Sequence, residues 1–98
     1  MKSEKCKMEE DLKIEAERVW KEGDSEQALA LLSDPSLKDN PQANFLTGEI
    51  LYNNQKWGLA LNSFRHCLQL DPGNLAAQTY IDLILNILGF FHTDQFNP

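Results

Sequence analysis

Apolar residues recur three or four apart through most of the chain, and no stretch sustains the every-second-residue alternation of a strand. The sequence therefore predicts an all-α protein of five helices joined by short connections. From Met8, the stripe Leu12, Ala16, Val19 and Trp20 marks a first helix that stops at Gly23. Asp24 or Ser25 caps a short second helix carrying Ala28, Leu29, Leu31 and Leu32, which ends near Pro35. Asn40 followed by Pro41 is a stronger entry signal, because a proline at the first helical position gives up an N–H that has no partner there anyway. That third helix runs to about Asn54, with Ala43, Leu46, Ile50 and Leu51 as its apolar set and Phe45 and Tyr52 displaced toward another side. A fourth begins at Trp57 and carries Ala60, Leu61, Phe64, Cys67 and Leu68 until Asp71-Pro72-Gly73-Asn74 breaks it. Asn74 then caps a fifth, Leu75 to about Leu88.

Laid against itself, the chain repeats. Gly48, Leu51 and Gln55 recur 34 residues on as Asp82, Leu85 and Gly89, while Ala16, Val19, Gly23, Ala28 and Leu32 precede Gly48, Leu51, Gln55, Ala60 and Phe64 by 32. The two missing residues fall in the short second helix and the loop from Asp34 to Asn40, where length changes are tolerated best. Gly48, Ala60, Phe64 and Pro72 stand at the spacing of the tetratricopeptide repeat pattern, W-x2-L-G-x2-Y…A-x3-F…P over about 34 residues. Asn44, Thr47 and Leu51 stand where that pattern has W, L and Y, so the chain resembles the family in degenerate form. The likeness covers about residues 9 to 91. It implies a right-handed stack of antiparallel helical hairpins in one domain, residues 1–91, with repeats at about 9–40 and 41–74, a half repeat at 75–91 and a tail at 92–98. In that arrangement Gly48 and Ala60 look onto a neighbouring helix backbone, Phe64 fills the wedge between hairpins, and Pro72 ends the fourth helix.

The resemblance also implies a function. Proteins of this family are typically non-enzymatic interaction modules, adaptors or scaffolds, that hold a peptide or partner helix on a concave face lined by the first helix of each hairpin. Here that face would carry Glu10, Lys13, Glu17 and Trp20, then Gln42, Phe45, Glu49 and Tyr52, then Ala76, Thr79, Leu83 and Asn86. Aromatic side chains interspersed with Glu17 and Glu49 suit a neutral or basic ligand with apolar anchors. The alternative for Trp20 and Phe45 is that they pack against each other as core. One class within the family grips a C-terminal carboxylate with Lys, Asn and Arg. Lys13 is the one matching cation, and Glu17, Leu46, Glu49, Ala76 and Tyr80 occupy its surroundings, so a carboxylate ligand is not expected.

The fifth helix carries so many apolar residues, Leu75, Tyr80, Ile81, Leu83, Ile84, Leu85, Ile87 and Leu88, that little polar surface remains on it, and it calls for cover on most sides. Either the tail folds back with Phe90, Phe91 and Phe96 as a lid, or the helix pairs with a second copy through Ile84, Ile87, Leu88, Phe90 and Phe91. The homodimer is favoured, because seven tail residues are too few to cover a helix face and an uncovered Leu or Ile forfeits about 1.5–3 kcal/mol. Two hairpins and half of a third are also fewer than the repeats such arrays need to stand alone. A second reading is a peripheral membrane or secretion-complex component docking through its apolar end, Ile84 to Phe91. No Lys or Arg beyond Arg65 would help that end onto an anionic surface.

Composition narrows the rest. Apolar residues at 42% and charged residues at 24% predict a folded chain, and a net charge of −6 repels nucleic acid and anionic bilayers. The most apolar stretch, Leu83 to Phe91, is broken by Asn86 and falls short of the roughly 20 residues of a membrane span, and Met1 to Lys5 lead into mixed charge rather than an export signal. Cys6 and Cys67 lack paired spacing, which predicts free thiols in a reducing, cytoplasmic setting. His66 and Cys67 are adjacent on a helix and diverge by about 100°, so they cannot share a site; Cys67 belongs to the core stripe and His66 to the surface. His92 and Asp94 form either an Asp–His pair or local tail hydrogen bonds. The five glycines are scattered singly, the histidines and cysteines come from distant segments, and the acidic residues of the first helix read as a solvated face. No enzyme activity, metal or cofactor is expected.

Overall fold

A computed structural model describes the backbone of residues 2–93 and the side chains of residues 8–89. It contains α1 (Lys2–Lys21), α2 (Ser25–Leu32), a 3₁₀ turn (Pro35–Leu37), α3 (Pro41–Asn53), α4 (Trp57–Leu70) and α5 (Leu75–Thr93), with no strand among the described residues. α1 begins upstream of the expected start at Met8, since the Lys- and Glu-rich residues before it are good helix formers and nothing interrupts them. The expected caps are in place. Asp24, Asn40 and Asn74 each accept a hydrogen bond at 3.0 Å, from the backbone N–H of Gln27, Ala43 and Ala77.

Helices pack mainly on their neighbours in the chain: α1 on α2, α3 on α4 and α4 on α5, with smaller contacts of α3 on α2 and α1. The radius of gyration, 15.0 Å, exceeds the roughly 13 Å of a compact chain this long, and the neighbour-to-neighbour contacts are those of stacked hairpins.

The two hairpins turn in the same way. Gly23 (φ 97°) and Gln55 (φ 63°) both adopt left-handed backbone. Asp24 N–H reaches Val19 C=O and Lys56 N–H reaches Leu51 C=O, both at 2.9 Å, while Gly23 N–H bonds Trp20 C=O at 2.9 Å and Gln55 N–H bonds Tyr52 C=O at 3.0 Å. These paired bonds are the Schellman closure of a helix C-terminus. The 32-residue offset read from the sequence is thus a repeat of backbone geometry.

Two apolar clusters make the core. The first joins Ala16 and Val19 of α1, Ala28 and Leu32 of α2, Leu37, and Ala43 and Ile50 of α3. The second joins Ala60, Leu61, Phe64 and Cys67 of α4 to Ala77, Ile81 and Ile84 of α5, with Phe45, Leu51 and Tyr52 of α3 packed against it. α3 belongs to both. Leu37, 1% exposed, explains how the shortened first hairpin closes. α2 has 8 residues where α4 has 14, and the 3₁₀ turn swings Leu37 into the space that a longer helix would fill. Ala16 and Ala28, 0% exposed, hold in the first hairpin the places that Gly48 and Ala60 hold in the second.

Gly48 meets a ring rather than the helix backbone expected from the sequence. A Cβ at Gly48 would lie 2.7 Å from Phe64 Cζ. Phe64 cannot yield cheaply, because it is wholly buried, stacked on Tyr80 (centroids 4.6 Å, 5° between planes) and edge-on to Phe45 at 5.5 Å. Gly48→Ala is therefore expected to lower stability by about 1–2 kcal/mol in chemical denaturation, overpacking outweighing the helix propensity gained. Gly58→Ala, facing open space in α4, is the control and should not destabilise. Gln55→Gly is expected to raise stability by about 1 kcal/mol in the same assay, because glycine carries no Cβ into left-handed backbone.

Candidate functional site

The first helices of the hairpins, α1 and α3, together with α5 border two adjoining grooves. The cleft between α1 and α3, ≈ 280 Å³, is lined by Glu10, Lys13, Ile14 and Glu17 on one wall and Gln42, Phe45, Leu46 and Glu49 on the other. The groove between α3 and α5, ≈ 530 Å³, is lined by Tyr52, Ala76, Thr79, Tyr80 and Leu83. A single hydrogen bond marks the seam. Tyr80 donates from its hydroxyl to Glu49 Oε2 at 3.2 Å, so a residue of the apolar groove touches a residue of the charged cleft.

Among the residues expected on the binding face, Lys13, Glu17, Gln42, Phe45 and Glu49 line the first groove and Tyr52, Thr79 and Leu83 the second. Trp20 lines neither and packs against the first cluster, while Phe45 packs against the second. The two rings thus join separate clusters. Phe45 does not pack on Trp20; it lies edge-to-face with Phe64 and Tyr80 and also lines the cleft. Tyr80 was legible only as a residue near this face. Its function as the donor to Glu49 had one available signal, its place one turn beyond Ala76 on the same side of α5.

Charge within the cleft is unevenly matched. Lys13 pairs with Glu10 at 3.2 Å on its own helix. Arg18, further round α1, holds Glu15 and Glu22 on the outer surface. Glu17 and Glu49 enter no ion pair among the described residues. Partial burial raises the Glu49 carboxyl above its ordinary range; the Tyr80 hydrogen bond opposes that shift and the Glu17 charge adds to it. Tyr80 is raised too, by its own burial and by the Glu49 charge, and remains a protonated donor.

α5 corrects one expectation. Ile84 is wholly buried in the second cluster, and Leu88 packs against it, so Ile84 offers nothing to a second chain or a membrane. Ile87 is half-buried, and the side chains of Phe90 and Phe91 lie outside the described residues, as do those of Cys6, His92, Asp94 and Phe96. The helix is not apolar all round. Gln78, Thr79, Asp82 and Asn86 share its open side with Leu75, Leu83 and Leu85, and Gln78 donates to Asp82 at 3.0 Å. No described helix is long and apolar enough to cross a membrane.

Elsewhere the reactive side chains have structural partners. Cys67 is fully buried, and burial followed by the Asp71 charge pushes its thiol up, away from the thiolate. His66 donates from Nε2 to the Lys38 carbonyl at 3.0 Å, tying α4 to the loop after the 3₁₀ turn. Among the described residues no three His, Cys, Asp or Glu side chains gather as a metal site.

No protein-family model, no curated protein and no solved structure matches the chain.

The raised Glu49 carboxyl sets a pH signature. A folded-state pKa above the unfolded one means that the folded chain binds the proton more tightly, so the ionised group costs stability at neutral pH and the cost fades as pH falls through that pKa. Lys13, Glu10 and Glu17 from α1 and Tyr80 from α5 are the charged and titratable groups facing it. Glu49→Gln, which retains an acceptor for Tyr80, is expected to stabilise the fold at pH 7 by no more than about 0.5 kcal/mol, the charge being well screened by water. Denaturation curves should show that gain vanishing below the ordinary Glu range.

Proposed function

We propose that the chain is a non-enzymatic interaction module of the tetratricopeptide-repeat kind, which binds an extended peptide segment of a partner protein across α1, α3 and α5. The observation that carries the reading is the continuity of the two grooves through the Tyr80–Glu49 contact, along the face built by the first helix of each hairpin. The repeated turns at Gly23 and Gln55, and the Gly48–Phe64 seat inside the second hairpin, support the kinship. A face with apolar floors and a few polar groups suits a segment that contributes alternate side chains and contacts both ends of the row.

The test is selection from a displayed random-peptide library against the purified chain, with two exposed leucines as probes. Leu83 is 43% exposed and lines the α3–α5 groove, whereas Leu59 is 57% exposed on α4 and lines neither groove. Selected peptides are expected to lose about tenfold or more in affinity to Leu83→Asp, the worth of one buried apolar contact, and nothing to Leu59→Asp. Failure to select any peptide, or equal loss with both variants, would remove the reading.

A further inference from the structure

The α3–α5 groove is the more apolar of the two. Tyr52, Tyr80, Leu83 and Ala76 supply most of its lining, and the Thr79 hydroxyl is already engaged with the Leu75 carbonyl at 2.9 Å. An apolar side chain of a bound segment has its natural seat there. What lies beside that seat decides which segment.

Glu49 stands at its edge, bound through Oε2 to the phenol of Tyr80, with Oε1 in no hydrogen bond to a described residue. Glu17 faces the same cleft. The one cation lining the cleft, Lys13, is paired with Glu10 at 3.2 Å, and neither Glu17 nor Glu49 forms an ion pair with a described residue. A guanidinium or ammonium between Glu17 and Glu49 would meet two acceptors and relieve their mutual repulsion, while an acidic side chain would add a third like charge. The net charge of −6 over the whole chain steers in the same direction.

We infer that the paired grooves take a basic-apolar segment: an Arg or Lys side chain between Glu17 and Glu49, and a Leu-, Met- or Phe-like side chain in the Tyr52–Leu83 groove. The inference rests on the peptide-binding reading above and specifies its ligand. Tyr80 is the joint between the two subsites. Its ring borders the apolar seat and stacks on Phe64, and its hydroxyl orients the carboxylate, so the two ligand side chains are read at a fixed spacing.

Fluorescence anisotropy with labelled synthetic peptides tests it. Each carries one leucine and one arginine at varied separation, with counterparts in which arginine is replaced by glutamine or glutamate. At one separation the arginine peptide is expected to bind about tenfold more tightly than its glutamine counterpart and the glutamate peptide more weakly still, with the preference shrinking as salt is raised. The double variant Glu17→Gln, Glu49→Gln should bind the arginine and glutamine peptides equally while keeping its helical circular dichroism. Equal binding of arginine, glutamine and glutamate peptides to the unaltered chain would overturn the inference and leave peptide binding standing. A preference for arginine that survives the double variant would also overturn it. No binding by any peptide, together with no peptide selected from the library, would overturn both.

Discussion

The fold depends on one close contact, the Phe64 ring standing where any side chain at position 48 would have to be. With glycine there, α3 and α4 approach closely enough for the ring to lie flat between them and α5, wholly out of water. Burying an aromatic side chain is among the larger single gains available to a chain this small. What makes it consequential is the direction in which the ring faces. One face of it is the platform on which Tyr80 stacks, so the placement of α5 is tied to the α3–α4 hairpin.

From Tyr80 the constraint passes to the surface. Its ring meets Phe45 at 5.8 Å and Tyr52 at 5.0 Å, both edge-on, and Tyr52 continues edge-on to Trp57 at 5.3 Å beside the Gln55 turn. Edge-to-face geometry fixes orientation as well as distance, since each ring directs its positive edge at a neighbour's negative face. The aromatic chain therefore runs from the buried junction to the floor of both grooves. The first hairpin buries no ring fully and closes on Ala16, Ala28 and Leu37, with Trp20 alone among aromatics packed against it. Its links to the second hairpin include two polar contacts, Asn40 to Glu9 and Asn54 to Ser25, each at 3.2 Å, beside the shared apolar surface of α3. Aromatic packing is thus concentrated around the α3–α5 groove.

The elements and their ends were legible in the sequence because their signals are local. Asp24, Asn40 and Asn74 cap through side chains three residues from the groups they satisfy, and the core stripe of α4 is visible from its spacing alone. Less of the packing was legible, because periodicity says which residues share a face and not what that face meets. Leu37 sits between turn residues with no stripe of its own, and only the shortened α2 creates the space it fills. Gln55 adopts a glycine-like backbone because the hairpin must close there, a tertiary demand that its side chain does not announce. In α5, high apolar content obscured the polar side, since Gln78, Thr79, Asp82 and Asn86 are interspersed with the exposed Leu83 and Leu85 and with the buried Ile81 and Ile84. The residues of the candidate face could be placed because the repeat aligns α1, α3 and α5. The hydrogen bond that joins its two grooves crosses 31 positions, and no local pattern predicts it.

Glu49 shows why such a seam is better understood as part of a surface than as part of the core. A half-buried carboxylate set near another carboxylate is a small net cost to folding, and the single phenol that holds it offsets only part of that cost. On the proposed reading the charge becomes useful when a cation arrives from outside, because the desolvation already spent in the folded chain is then not charged again on binding, and the carboxylate is held by Tyr80. On that reading, an aromatic support beneath a mildly destabilised acid is the physical arrangement that turns a small loss of stability into selectivity for charge, next to the apolar α3–α5 groove.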